Sequence, residues 1–264
     1  MILDDITAAV AKRLREDKKN VSLEEMKQRA LAAPKKENYP FEQKLSETGL
    51  SFICEVKRAS PSKGLIAPDF PYLAIAKEYE KSGASAISVL TERDYFQGSA
   101  AYLQKIAAAV HIPVLRKDFI VDEYQIYEAR AIGASAILLI CAILDDQTLS
   151  RFFQLADSLG LSALVEVHDE EEVHRAIAAG ARVIGVNNRN LKDFTVSLDN
   201  SRRLRKLVPD SVLFVAESGI KTVADTAQLR QFGVDAVLIG ETLMRSNDKK
   251  GMLQKLAGNG HDEN

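Results

Sequence analysis

Hydrophobic and polar residues alternate in blocks along most of the chain. After about residue 48, eight short runs rich in Ile, Val, Leu and Ala are each followed by a longer amphipathic stretch. Short runs that are apolar on both faces are typical of buried parallel strands. We therefore predict strands over 51–57, 85–90, 112–117, 135–140, 162–167, 182–187, 212–216 and 235–239.

The amphipathic stretches between these runs predict helices. Ser22, Asp145, Ser197 and Thr222 lie where a side chain that caps the amino terminus of a helix is expected. Beyond the first 48 residues, the predicted helices cover 71–82, 99–110, 122–132, 146–159, 169–179, 198–207, 222–232 and 248–257.

A glycine after four of these helices marks a weak internal repeat. Gly83, Gly133, Gly180 and Gly233 each precede an apolar run, at spacings of 50, 47 and 53 residues. A unit of this length holds two strands and two helices, so four units give eight β–α pairs. Eight such pairs with right-handed crossovers predict an α/β fold, the (β/α)8 or TIM barrel. An open doubly wound sheet is disfavoured, because no G-x-G-x-x-G motif follows the first strand.

The chain before the first predicted strand is helical in pattern. Ile6, Val10 and Leu14 recur on one face, whereas Pro34 and Pro40 break the pattern. The apolar face could lie across the barrel mouth or cover other exposed barrel surface, and the pattern does not choose between them. The predicted units are an N-terminal helical extension packing on the barrel over 1–48, the barrel over 49–258, and a disordered tail over 259–264.

Composition narrows the range of partners. The 264 residues are 46% apolar and 27% charged, with a net charge of −2, so no overall basic field favours nucleic acid. We see no transmembrane run and no basic signal-peptide start, and we predict a cytoplasmic protein without membrane contact.

Cys54 and Cys141 lie in or at the end of apolar runs and are expected to be buried reduced thiols. The four histidines lack metal-ligand spacing, so no metal site is expected.

Several predicted strands end in ionisable residues, which are costly to bury unless they are paired. In this fold the carboxyl ends of the strands gather into one ring, where the chemistry is found. Because side chains alternate along a strand, Glu55 and Lys57 share the interior face with Ile53. Structural ion pairs are the alternative, but a barrel mouth needs no such density of charge for stability. The inward-facing set predicted in this way is Glu55, Lys57, Lys117, Glu166, Asn187 and Glu217, with Arg189 beside it.

Small residues after the last two strands indicate an anion site. Ser218-Gly219 and Gly240 follow these strands, where backbone N–H groups of this fold recurrently bind phosphate. Glycines also occur at such turns because the backbone conformation of the turn requires them, without any bound anion. The segment 60–64, which begins at Ser60, either closes over the same phosphate or is a mobile surface loop. His168, one pleat beyond Glu166, is expected to be a loop residue and not a catalytic base.

At the ends of the predicted strands the chain resembles the indole-3-glycerol phosphate synthases, which are (β/α)8 enzymes of tryptophan biosynthesis. The resemblance covers essentially the whole chain, with no departure at a catalytic position, and its first stretch is the most specific. The matching stretches are FICEVKRASPSKG (52–64), PVLRKDF (113–119), LVEVH (164–168), GVNNRNL (185–191), AESGI (216–220) and LIGE (238–241).

The resemblance implies a decarboxylative ring closure. The substrate, 1-(o-carboxyphenylamino)-1-deoxyribulose 5-phosphate, loses CO2 and water to give indole-3-glycerol phosphate, with no cofactor. Lys117 is implied as the general acid at the attacked carbonyl, and Lys57 and Glu166 as the acid and base of dehydration, with their division open. Glu55 would hold and tune Lys57.

The remaining residues are implied to bind the small anionic phosphosugar–anthranilate substrate. Asn187 would hydrogen-bond the substrate or a catalytic side chain, and Glu217 would orient the ligand hydroxyls. Arg189 offers a planar fork to the substrate carboxylate or to a carboxylate of the ring. Transient contact with other enzymes of tryptophan biosynthesis stays open. The phosphate would be held by Ser60, Ser218, Gly219, Gly240 and the Glu241 backbone.

Three alternatives stay open beside this interpretation. A Schiff-base aldolase would use a strand-end lysine such as Lys117 as its nucleophile. Phosphoribosylanthranilate isomerase is another phosphosugar barrel, but its barrel begins at the first strand without a preceding extension. A non-catalytic scaffold is disfavoured, since drift would first remove costly buried charges.

Overall fold

Eight parallel strands close into a barrel in the computed structural model, which describes residues 2–190 and 194–258. The described strands are β1 (Ser51–Val56), β2 (Ala59–Ser60), β3 (Gly64–Leu65), β4 (Ala86–Leu90), β5 (Val114–Lys117), β6 (Ala136–Ile140), β7 (Ser162–Val167), β8 (Val183–Asn187), β9 (Leu213–Glu217) and β10 (Ala236–Ile239). Strands β2 and β3 form a short antiparallel hairpin, and the other eight follow one another around the barrel, with β10 against β1. The predicted (β/α)8 architecture is confirmed.

Helices precede the barrel and connect its strands. The described helices are α1 (Ile2–Asn20), α2 (Leu23–Ala32), α3 (Pro40–Leu45), α4 (Tyr72–Lys81), α5 (Ala100–Ala107), α6 (Glu123–Ala131), α7 (Asp146–Ser158), α8 (Glu170–Ala178), α9 (Asp199–Arg205), α10 (Val223–Gln231), α11 (Glu241–Arg245) and α12 (Lys249–Ala257). Ser22, Asp145 and Thr222 accept backbone N–H groups as predicted caps. Ser197 was expected to cap α9, but the cap position is Leu198; Ser197 Oγ still accepts from the Asp199 N–H (3.3 Å).

Two helix predictions were wrong for identifiable reasons, and one strand is longer than predicted. Pro40 was expected to break a helix, yet it begins α3, because the fixed φ of proline suits the first position of a helix. The helix predicted to run to 110 ends at Ala107, where the chain turns and buries Val110. Strand β9 continues to Glu217, so this carboxylate is held by the sheet.

The glycines of the internal repeat have the backbone conformation that their position requires. Gly83, Gly133, Gly180 and Gly233 have φ angles of 95°, 89°, 89° and 73°. This left-handed region is accessible to glycine at little cost, and it lets each helix end and turn toward the next strand. The repeat therefore reflects one helix-ending turn used four times.

Strand residues divide between two apolar clusters, as the alternation predicted. Phe52, Cys54 and Val56 belong to the large cluster between strands and helices. Ile53 belongs to a smaller cluster inside the barrel. Glu55 follows Ile53 on the interior face, so the charged strand ends stand above the packed interior.

The N-terminal helices contact both ends of the barrel. In α1, Ile6 packs in a cluster with Phe96 and Phe119 near the carboxyl ends of the strands. In α3, Phe41 and Leu45 are 0% and 1% exposed and join the interior cluster at the opposite end. The extension therefore covers the mouth with one helix and closes the base with another. The tail predicted to be disordered, 259–264, lies outside the described residues.

The described residues were compared with the requirements of a membrane-spanning helix and of a metal site. None of their helices is long and apolar enough to span a bilayer. They contain no group of three His, Cys, Asp or Glu side chains arranged to hold a metal ion. Cys54 and Cys141 are buried and free, as expected, and burial raises the pKa of both thiols.

Candidate active site

A cavity of about 630 Å³ opens at the carboxyl ends of the barrel strands. The structure brings every site residue predicted from the sequence to its wall. Those residues are Glu55, Lys57, Ser60, Lys117, Glu166, Asn187, Arg189, Glu217, Ser218, Gly219, Gly240 and Glu241. The alternation along each strand accounts for the convergence of the inward-facing members, because the same parity recurs around the ring.

Lys117 is the centre of the charged ring. Its Nζ donates to Glu166 Oε2 at 2.8 Å and to Glu217 Oε2 at 2.9 Å. Burial alone would lower the pKa of Lys117, but the two carboxylates outweigh burial and raise it above its usual range. Lys117 is therefore held as an ammonium with its protons directed into the ring.

The two carboxylates that share Lys117 have pKa values shifted in opposite directions. Burial and the negative charge of Glu166 raise the pKa of Glu217 to about 7, against the opposing effect of Lys117. Burial would also raise the pKa of Glu166, but Lys117, His168 and an Asn187 hydrogen bond together lower it below its usual value. Environments that separate the pKa values of neighbouring groups are typical of acid–base sites.

We expect Glu217→Gln to remove a carboxyl group that titrates near neutrality. In the wild type, the infrared C=O band of this protonated carboxyl should disappear as pH rises through about 7. Because its pKa is raised from 4.5 to about 7 in the folded state, Glu217 binds its proton more tightly in the native than in the unfolded state, so the stability that it contributes is lost as pH rises from 4.5 to about 7. A wild-type band that does not change across neutrality, or one that persists in Glu217→Gln, would be inconsistent with this assignment.

Glu55 and Lys57 form a second pair on β1 and the residue after it. Lys57 Nζ lies 2.6 Å from Glu55 Oε1, and both side chains are largely buried. Gly240 was predicted only for its backbone approach to phosphate, yet a Cβ there would collide with Glu55 Oε1 and approach Lys57 Nζ at 2.9 Å. This glycine therefore also leaves room for the ion pair.

Gly185 is a residue of the site that sequence reasoning missed. It faces the barrel interior on β8, and a Cβ at this position would collide with Glu217 Oε1. Glycine inside a strand often marks such a close approach, and this was the available signal. The missing side chain lets the Glu217 carboxylate reach Lys117.

Gly185→Ala is expected to displace Glu217 while the barrel stays folded. A shift of about 1 Å at reacting groups can lower turnover on the order of a hundredfold, so we expect a loss of about tenfold to a hundredfold in kcat. Steady-state kinetics together with circular dichroism test this. Wild-type kcat in a folded variant would disprove the role assigned to this glycine.

Asn187 links the carboxylate ring to the loop that follows β8. Its Nδ2 donates to Glu166 Oε1 (3.3 Å), and its Oδ1 accepts from the Arg189 backbone N–H (3.0 Å). The Arg189 guanidinium lines the cavity, and its Nη1 donates to the Phe194 carbonyl at 3.4 Å. Asn187 therefore contacts a carboxylate of the ring, and the contact of Arg189 with a ligand stays a prediction.

The loop after β9 contains two consecutive residues with a left-handed backbone. Ser218 and Gly219 both have left-handed φ angles, 67° and 85°, and a Cβ at Gly219 would collide with Val196. The β2–β3 hairpin approaches from the other side, where Lys63 Nζ lies 3.6 Å from Glu241 Oε1. An ion pair thus joins the segment 60–64 to α11.

One wall of the cavity is apolar, and most of it was not predicted. Phe96 from the loop after β4 and Phe119 after β5 lie with centroids 5.9 Å apart. Ile2, Leu3 and Ile6 of α1 complete this wall. The helix therefore faces the cavity, which favours the cover over the mouth among the two sequence-based alternatives.

Solved structures of low sequence identity share this fold. The 3-hexulose-6-phosphate synthase from Salmonella typhimurium superposes with a TM-score of 0.66 at 15% identity, covering 79% of this chain and 97% of that one. Identity at this level supports the barrel and nothing further.

Sequence relatives identify the family. The model of the family "Indole-3-glycerol phosphate synthase" matches residues 3–256. The protein of that name from Ruminiclostridium cellulolyticum is 56% identical over 258 residues, 98% of this chain and 99% of the relative. That from Endomicrobium trichonymphae is 55% identical over 256 residues, 97% and 99% of the two chains. The chain belongs to the indole-3-glycerol phosphate synthase family.

Proposed function

We propose that this protein closes the pyrrole ring of indole-3-glycerol phosphate. Its substrate would be 1-(o-carboxyphenylamino)-1-deoxyribulose 5-phosphate, and CO2 and water would leave. The observation that carries the proposal is Lys117 Nζ between the Glu166 and Glu217 carboxylates, inside a cavity with an apolar wall and with Ser218, Gly219 and Gly240 in its lining. An aromatic acid at one end of a substrate and a phosphate at the other match these features.

The first step requires a proton donor at the C2 carbonyl. Lys117 is the proposed general acid, because its pKa is raised and it stays protonated across the working range. It can still protonate an alkoxide, which is a stronger base than an amine. As the aromatic carbon attacks C2, the carbonyl oxygen takes a Lys117 proton, and loss of CO2 restores the aromatic ring.

The second step removes the new hydroxyl group as water. This needs an acid at the departing oxygen and a base at the neighbouring proton, and Lys57 and Glu166 are proposed for these roles. Glu55 holds Lys57 at 2.6 Å, and the low pKa of Glu166 keeps its carboxylate ionised and able to accept a proton. Lys57 directly follows β1 and Glu166 lies on β7, and these two strands are on opposite sides of the barrel.

Substrate binding is proposed to follow the polarity of the cavity. The anthranilate ring would lie on the Phe96–Phe119 wall, with its carboxylate toward Arg189. Glu217 would accept from the ligand hydroxyls through Oε1, which is buried and has no hydrogen-bond partner among the described residues. The phosphate would lie among Ser60, Ser218, Gly219, Gly240 and the Glu241 backbone.

The Schiff-base aldolase alternative is disfavoured by the charge of Lys117. An imine-forming lysine must be a neutral nucleophile with a lowered pKa. Two carboxylates hold Lys117 in the opposite state. Location in the cytoplasm and transient contact with other enzymes of tryptophan biosynthesis complete the proposal.

Purified protein mixed with the ribulose phosphate substrate tests this function. We expect an increase in indole fluorescence with steady-state turnover. Borohydride added during turnover should trap no covalent adduct. Absence of the fluorescent product would refute the proposal, and a stable adduct on Lys117 would support the aldolase instead.

A further inference from the structure

His168 occupies a position between the proposed base and a second carboxylate. Its Nε2 lies 3.5 Å from Glu166 Oε1, and its Nδ1 lies 3.1 Å from Glu172 Oε2 at the start of α8. The sequence predicts that His168 lies in a loop, and its backbone does lie in the bend after β7. Its ring, however, contacts the charged ring of the cavity.

The hydrogen-bonding requirements of the two carboxylates determine the protonation of this imidazole. Glu172 can only accept, so His168 Nδ1 must carry a hydrogen. Nε2 is buried and has no hydrogen-bond partner among the described residues, and the group that it faces is the Glu166 carboxylate. An unprotonated Nε2 would turn its lone pair toward an anionic oxygen. From these neighbours we assign a proton to both nitrogens of His168.

We propose that His168 is a positioning residue, whose cationic ring, held by Glu172, keeps the Glu166 carboxylate ionised and oriented toward Lys117. The inference rests on the proposed function, in which Glu166 takes a proton during dehydration. His168 itself acts through Glu166 and need not touch the substrate. No such role follows for the other described histidines; the His111 side chain, for example, is 96% exposed.

The charged groups around His168 support this state of the ring. Burial would lower the pKa of His168, but Glu172, Glu166 and Glu217 outweigh it and raise the pKa above its usual value. These carboxylates come from α8, β7 and β9. Lys117 is the nearby cation, and it lies on the far side of Glu166.

The backbone at this position does not depend on the imidazole. The His168 N–H donates to Glu172 Oε2 at 2.7 Å, and Asn200 Nδ2 donates to the His168 carbonyl at 3.2 Å. His168→Gln keeps these contacts and removes the charge. Glu172→Gln keeps an oxygen for the N–H and removes the partner that holds the ring cationic. His111→Gln is the matched control.

The test combines pH–rate profiles with NMR titration of the histidine rings. In His168→Gln the acid limb of the kcat/KM profile should shift to higher pH by about one unit. The reason is that the pKa of Glu166 rises when the cation beside it is lost. The difference from wild type should vanish at alkaline pH, where the wild-type ring is neutral. The histidine resonance that is absent from the spectrum of His168→Gln belongs to His168. In wild-type protein its pKa should lie above the usual value of about 6.5, and in Glu172→Gln its pKa should be lower than in wild type.

Two results would overturn the inference. One is a His168 ring that titrates at or below its usual value. The other is a His168→Gln profile that coincides with that of wild type and His111→Gln, or is lowered equally at every pH, as a purely structural role would require. If wild-type protein forms no indole product, the proposed function fails, whereas the NMR titration still tests the state of the ring.

Discussion

Replacing Lys117 by methionine is expected to lower kcat by about a hundredfold to ten-thousandfold, the range for loss of a general acid. Methionine preserves most of the side-chain volume but supplies no proton to the C2 oxygen. It also leaves Glu166 and Glu217 facing each other without the cation between them. The two carboxylates should then share a proton, which further weakens Glu166 as a base. Steady-state kinetics with the ribulose phosphate substrate measure the loss.

Two further lysine variants provide a control and separate the loss of a proton donor from the loss of a positive charge. Lys105→Met removes an exposed lysine of α5 and should leave kcat unchanged. Lys117→Arg keeps the positive charge but releases its proton far less readily. If Lys117→Arg approached the wild-type rate while Lys117→Met did not, charge alone would explain the role of Lys117. If folded Lys117→Met turned over normally, the residue would not be the acid.

Phe41→Ala is expected to lower the free energy of unfolding by about 3–5 kcal/mol, as for other fully buried aromatic residues. Phe41 is 0% exposed and packs in the apolar cluster inside the barrel. Arg182 additionally fixes α3, because it pairs with Glu42 at 2.9 Å. Equilibrium urea denaturation measures the change.

The matched control for Phe41 lies in the same extension. Leu31 of α2 is 74% exposed, so Leu31→Ala should change stability by less than about 0.5 kcal/mol. The kcat of the folded fraction should be the same in both variants, since Phe41 lies at the end opposite the cavity. Equal stability of Phe41→Ala and Leu31→Ala would show that α3 is not part of the barrel core.

Alternation along the strands was enough to predict which side chains share the cavity. Glu55, Lys117 and Glu217 each follow an interior apolar residue by two positions, and this relation depends only on strand geometry. The helix-ending glycines predicted the number of units for a similar reason, because each turn needs a left-handed residue. Local rules therefore yield the fold and the membership of the ring.

Features that depend on distances between strands were not accessible in the same way. Gly185 matters because Glu217 of the next strand passes over it. The different pKa values of Glu166 and Glu217 likewise arise from burial and from their shared lysine. None of these separations is encoded in a local spacing.

The central claim is that ring closure releases the substrate carboxylate as CO2, and the ratio of CO2 to indole-3-glycerol phosphate tests it most directly. With substrate labelled with 13C at the anthranilate carboxyl group, we expect one labelled CO2 for each indole-3-glycerol phosphate formed. We expect both products to be nearly lost in Lys117→Met. Consumption of substrate without labelled CO2, or no consumption by folded wild-type protein, would contradict the account.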